Sequence, residues 1–172
     1  GPLSVQVHPD DAYAREFEHS LGKSEMWLVL DASEGAGIYC GFKRETSLEE
    51  TRAAIENNTL TELLSWVPAK MGDCFFIPAG TVHAIGTGLM VVEVQQSSNL
   101  TYRVYDYGRV GADGRPRELH IDKALAVARR EPPKDPVGPT EPERAVAGGR
   151  IQPLFSCDKF TTETRTVEGE MA

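Results

Sequence analysis

A mainly β, antiparallel fold with helical insertions is what this sequence predicts, and three observations carry the prediction. Leu3-Ser-Val-Gln-Val-His-Pro9 and Gly22-Lys-Ser-Glu-Met-Trp-Leu-Val-Leu30 alternate with the two-residue period of strands. Cys74-Phe-Phe-Ile77 is a short apolar run between Gly72 and the turn Pro78-Ala-Gly80, which reads as a buried strand. Similar runs recur at Gly37–Phe42, Gly88–Gln96, Ser97–Tyr107 and Ile151–Val167, separated by turn residues.

The 172 residues fit one domain with a single core. A net charge of −8 argues against a nucleic-acid surface. No apolar run reaches membrane-spanning length and no signal peptide is evident, so no membrane partner is expected. Cys40, Cys74 and Cys157 are odd in number and lack C-x-x-C spacing, which excludes a disulfide framework and fits a reducing, cytoplasmic setting. The chain opens on Gly1-Pro2 without Met and stops at Met171-Ala172 after a fresh strand pattern. A fragment of a longer protein is expected.

Taken in order, the first strand puts Gln6 and His8 on one face, because residues two apart share a face. Pro9-Asp-Asp11 then starts a short helix to Glu18, with Asp capping free N–H groups. On the next strand Lys23, Glu25 and Trp27 share a face. The lysine and carboxylate are either a solvated surface pair or, if that face looks inward, a ligand with a lysine beside it. Ser47-Leu-Glu-Glu50 is a capping box for a helix through Ile55, and Thr61–Trp66 reads as a second short helix. Both are read as an insertion covering one end of the β structure. The turn at Pro78 and Gly80 is stiff and aims His83 in one direction. Glu93 and Gln95 share a face, toward a cavity or toward solvent. His120–Ala128 reads as a helix. Residues 130–149 hold five prolines and read as an extended linker or crossover. The expected organisation is a core over residues 1–129, that linker, and the start of a further β segment over 150–172.

Gln6, His8, Glu25 and His83 make a set of nitrogen and oxygen donors suited to Zn²⁺, with Mn²⁺, Fe²⁺ or Co²⁺ possible by the same logic. The spacing G-x5-P-x-G-x2-H over Gly72–His83 resembles the second signature of the cupin superfamily. Leu3–Asp11, Gly22–Glu25, Gly72–Gly86, Gln95–Ser98 and Tyr102-Arg-Val-Tyr-Asp-Tyr107 together resemble the type I mannose-6-phosphate isomerases in their short bacterial form. The resemblance covers roughly Leu3 to Ala128.

That resemblance implies a cupin-type antiparallel β-barrel (jelly-roll) and a zinc-dependent aldose–ketose isomerase. Such an enzyme interconverts mannose 6-phosphate and fructose 6-phosphate through an enediol. It places four metal ligands on Gln6, His8, Glu25 and His83, and the catalytic lysine and arginine on Lys23 and Arg103. Asn99 stands where the family usually has Asp, which puts any role needing a carboxylate there in doubt. The chemistry asks for these types: a cation stabilises negative charge developing on oxygen, and a metal does so as a Lewis acid. A lysine acts as base only where desolvation or a neighbouring cation depresses its pKa. Arginine stays charged and acts electrostatically. Arg109 and Lys70 are weak candidates for the phosphate. Two alternatives stand beside the isomerase: a non-catalytic sugar-binding cupin, and an Fe(II) cupin oxygenase using His8, Glu25 and His83 as a two-His-one-carboxylate triad. An open sheet edge would make a homodimer possible.

Overall fold

The computed structural model describes residues 2–134, 137–139 and 141–169. Gly1 and Met171-Ala172, noted above as chain ends, lie outside these residues. The elements run β1 (Val5–Val7), α1 (Asp11–Glu18), β2 (Glu25–Ala32), β3 (Gly37–Phe42), α2 (Leu48–Glu56), α3 (Leu60–Leu63), β4 (Leu64–Pro68) and β5 (Cys74–Ile77). Then follow β6 (His83–Ile85), β7 (Leu89–Gln95), β8 (Tyr102–Tyr105), α4 (Ile121–Val127), β9 (Val137–Gly138), β10 (Arg144–Val146), β11 (Gly149–Ser156) and β12 (Thr161–Val167).

Two antiparallel sheets face each other. One has the order β4-β3-β6-β1-β8 and the other β7-β2-β5-β9. Between them Trp27, Val29, Ile38, Cys40, Phe75 and Ile77 pack as one buried cluster, contributed alternately by both sheets. This is the mainly β, antiparallel architecture that the strand patterns predict, in the two-sheet form that the family resemblance implies. No ladder joins the two sheets among the described residues, so the barrel takes the form of a two-sheet sandwich.

The second core lies on the outer face of the five-stranded sheet. Val5, Val7, Ala84, Tyr102 and Val104 meet Ile55, Leu60, Leu64, Ala124 and Leu125 there. The helices therefore cover a sheet face, not an end of the barrel as expected. The strand residues require it: β1 has Val on both outward positions, and those side chains need an apolar cover.

Two further expectations change. The helix expected over Thr61–Trp66 is only Leu60–Leu63; Leu64–Pro68 is strand β4, with Trp66 opposite Tyr39 and Val67 opposite Ile38. Trp and Val suit a pleated surface, and the edge of β3 offered partners that a lone turn of helix lacks. Residues 130–149, expected as an extended linker, contain two short strands. Val137–Gly138 pairs with β5, and Arg144–Val146 starts a three-stranded sheet β10-β11-β12. Gly138 comes so close to β5 that an added Cβ would lie 3.1 Å from Cys74 Sγ and 2.7 Å from the Phe155 ring.

Candidate metal centre

The register places the candidate residues in one row. In β1, Gln6 is the Cα partner of His83 on β6 on one side and of Arg103 on β8 on the other. Directly paired residues share a face, so all three point into the sandwich. From the opposite sheet, Glu25 pairs with Gln95 and Ile77 and projects inward beside Trp27. His8 follows β1, and its carbonyl accepts a 2.8 Å hydrogen bond from Gly80 N. Gly80 adopts φ +87°, a conformation that side chains disfavour, so the Pro78–Gly80 turn can close on β1 and start β6 at His83.

His8, Glu25 and His83 are almost wholly buried, and one potential ligand atom from each lies within 4.8 Å of the others. His8 Nδ1 is 2.7 Å from Leu100 O, and His83 Nδ1 is 2.8 Å from Thr81 O. A carbonyl can only accept, so each Nδ1 carries a hydrogen and each ring turns its Nε2 inward. Such outer hydrogen bonds fix the orientation of ligating histidines. His8 Nε2 lies 3.1 Å from Glu25 Oε1, and His83 Nε2 lies 3.7 Å from Glu25 Oε2. Neither contact is a hydrogen bond, and the second is too long to be one. His8 Nε2 and both Glu25 oxygens are therefore buried without a hydrogen-bond partner.

Such atoms are costly to bury unless something coordinates them. Burial raises the Glu25 pKa, but His8 first, with Lys23 beside it, outweighs that and holds the carboxyl well below its usual range. Burial, and then the neighbouring His8, push His83 down to about 4, so its ring is neutral at pH 7. Two imidazole lone pairs and an ionised carboxylate suit a divalent transition metal. The Gln6 amide lies alongside, Nε2 3.4 Å from His83 Nε2. Turning that amide end for end would present its oxygen to the same point.

Lys23 is buried, with Nζ 2.6 Å from Glu25 Oε1 and 3.7 Å from Glu93 Oε1. Glu93 stands at the more open side, and burial followed by the charge of Glu25 raises its pKa. The structure thus brings together Gln6, His8, Glu25, His83 and Lys23. Arg103 sits in the same row, its Nη1 donating to Glu118 O at 2.9 Å and its Nε buried without a partner. Asn99 is exposed and lines a cavity of about 400 Å³ with Ser20, Gln95 and Leu100. Of the phosphate candidates, Arg109 is committed to Asp106 and to Pro2 O, and Lys70 lies on an exposed turn. A cavity of about 480 Å³ between Phe76, Arg129 and Pro133 contains none of the cluster residues.

Sequence reasoning missed the carbonyls of Thr81 and Leu100, since a backbone acceptor leaves no trace in residue type. It also missed His120, whose Nδ1 accepts from Arg103 N at 3.1 Å and props the arginine strand.

Comparison with known proteins points one way. No family model matches the chain. It is 52% identical over 125 residues to the mannose-6-phosphate isomerase of Streptococcus mutans, a match covering 73% of this chain and 39% of that protein. It is 41% identical over 168 residues to the mannose-6-phosphate isomerase ManA of Bacillus subtilis, covering 97% of this chain and 52% of the relative. The crystal structure of the mannose 6-phosphate isomerase from Bacillus subtilis superposes with a TM-score of 0.87 at 37% identity, over 98% of this chain and 53% of that one. The chain thus spans about half the length, or less, of the curated relatives it matches. Over the portion it spans, the chain is similar in sequence and in fold alike to these mannose-6-phosphate isomerases.

Proposed function

We propose that this chain carries the metal-binding and catalytic part of an isomerase that interconverts mannose 6-phosphate and fructose 6-phosphate. One observation carries the reading: His8 Nε2, both Glu25 oxygens and His83 Nε2 converge in a buried space, the first three without a hydrogen-bond partner apart from the Lys23 ion pair to Glu25 Oε1. Gln6, His8, Glu25 and His83 would hold one Zn²⁺. The metal supplies a Lewis acid that favours negative charge on the sugar oxygens. The nitrogen and oxygen donors suit zinc. Residues 1–129 would form this core, with 130–149 crossing over it and a further β segment following.

The protein's own groups then divide the work. Lys23, held between Glu25 and Glu93 at the edge of the cluster, takes the proton from C2 of the aldose and delivers it to C1, while the hydroxyl proton of O2 passes to O1 so that the carbonyl moves from C1 to C2. The return reaction runs the same path backwards. Arg103 supplies fixed positive charge toward the oxygen that becomes enediolate, or toward the phosphate, and cannot itself take a proton at neutral pH. The two sheets exclude water from the reacting carbons. Three unpaired cysteines, two of them buried, support a reducing compartment such as the cytoplasm. No helix among the described residues is long and apolar enough to cross a membrane.

The test couples metal content of the purified chain to fructose 6-phosphate formation, with and without chelator. Stoichiometric zinc and chelator-sensitive turnover are expected, and Lys23→Ala should abolish turnover while sparing the zinc. Zinc without turnover would favour a sugar-binding cupin. Iron with substrate-linked oxygen uptake would favour an oxygenase, and a folded chain that refuses zinc would overturn the ligand set.

A further inference from the structure

The segment Gly22–Glu25 delivers two site residues, Lys23 and Glu25, yet Gly22, Lys23 and Ser24 lie before the strand starts. It is held instead by side chains remote in sequence. Asp11 Oδ1 accepts from Gly22 N at 2.9 Å and from Gln96 Nε2 at 3.0 Å. Gln96 Oε1 accepts from Ser24 N at 2.9 Å, and Gln96 N donates to Ser24 O at 3.1 Å. Lys23 N, between these two fixed amides, donates to Pro9 O at 3.1 Å. Gly22 packs so tightly that a Cβ there would lie 2.5 Å from Asp10 C and Asp11 N. The other Asp11 oxygen, Oδ2, accepts from Lys159 Nζ at 2.7 Å, on the turn between β11 and β12. These contacts hold the Asp11 pKa down to about 2, Lys159 contributing most and Gly22 N next.

We propose that Asp11 and Gln96 are positioning residues, a two-sided clamp on the amides of Gly22 and Ser24 that sets where the side chains of Lys23 and Glu25 enter the site. Neither touches the cluster. Both sit in motifs, Leu3–Asp11 and Gln95–Ser98, in which only Gln6 and His8 belong to the cluster itself. The Gln96 amide reads both neighbours at once: its NH₂ can only donate to Asp11 and its oxygen can only accept from Ser24. A displacement of Lys23 by about 1 Å is enough to cost a large factor in proton transfer. The proposal rests on the isomerase reading for its kinetic consequence, but not for its structural one.

The experiment uses the full chain with zinc and compares Asp11→Ala, Gln96→Ala and the conservative Asp11→Asn. Asn keeps the oxygen that faces Gly22 and Gln96. For both alanine variants, amide exchange at Gly22 and Ser24 should accelerate tenfold or more while exchange in β5 stays unchanged. Turnover should fall tenfold or more with KM for mannose 6-phosphate within threefold and zinc content intact. Asp11→Asn should recover most of the turnover, and the double alanine variant should be little worse than either single one, because the pair acts as one unit. Unchanged exchange at Gly22 and Ser24 overturns the clamp. So does a variant that merely melts earlier and turns over normally. If the unmutated chain proves inactive, the isomerase reading falls, and the exchange rates alone decide the clamp.

Discussion

Gln6 lies directly opposite Arg103 across β1 and β8, and directly opposite His83 on its other side, so one strand sets a cation and an imidazole on either flank of a single amide. Arg103→Ala should therefore lower kcat by roughly a hundredfold to a thousandfold, the loss typical of a group that meets developing charge. Zinc content should stay unchanged. Arg103→Lys should recover little, since a point charge does not reproduce the guanidinium fork. A coupled fructose 6-phosphate assay reads both, and an unaltered rate would remove Arg103 from the reaction.

Buried atoms that lack hydrogen-bond partners make the metal-free site costly, so metal should stabilise the folded chain. Zinc at a hundred times its Kd should add about 2.7 kcal/mol, because only the folded state offers the site. Thermal melting with and without chelator measures the shift. In His83→Ala the dependence on zinc should vanish. A melting temperature indifferent to zinc in the unmutated chain would contradict the assignment.

Asp106 is buried and accepts from Arg117 Nη2 at 2.6 Å and from Arg109 Nη2 at 2.5 Å. Arg117 first, opposed by burial and joined by Arg109, lowers its pKa to about 2. A depressed carboxyl stabilises the fold above its unfolded pKa and loses that contribution as pH falls through the folded value. Asp106→Asn should therefore destabilise at pH 7, with the difference shrinking between about pH 4 and pH 2. Both arginines are partly exposed, so the effect at pH 7 should be on the order of 1 kcal/mol. Urea melts of the pair at several pH values test it.

Burial pushes the thiol of Cys40 up to about 12 and that of Cys74 up to about 11. Thiol reagents attack the thiolate, so at pH 8 the half-buried Cys157 should react first and alone. The other two should label only on unfolding. Counting labelled thiols by mass against time gives the answer, and early labelling of Cys40 would mean that the sandwich opens.

Strand geometry made the faces of the candidate residues legible, while their roles were legible only through the family resemblance. A two-residue period puts Gln6 and His8 on one face and Lys23 with Glu25 on another, and a Pro/Gly turn fixes His83. What periodicity cannot supply is register. Nothing in the one-dimensional pattern says that Gln6 faces Arg103, ninety-seven positions away, rather than a neighbour one pair along. The same limit hid the role of residues 130–149, where five prolines read as linker although Val137 and Gly138 find a free edge on β5. It also hid β4, because an isolated turn of helix and an edge strand differ only through what lies beside them. The Asp11–Gln96 clamp was invisible for another reason: it joins a helix start to a strand end through one amide, and each half alone reads as an ordinary surface polar residue.

The position of β1 in its sheet has a kinetic side. Strand β1 is enclosed between β6 and β8, so its first neighbour exists only once the chain has passed residue 83 and its second only past residue 102. Loop closure over such separations is slow compared with forming a helix or a hairpin. The β2–β5 and β3–β4 pairings close over shorter loops and can precede it. His8 and His83 would then come together only once β6 has formed, and a nascent chain would hold its imidazoles apart and unable to capture metal until β6 has left the ribosome.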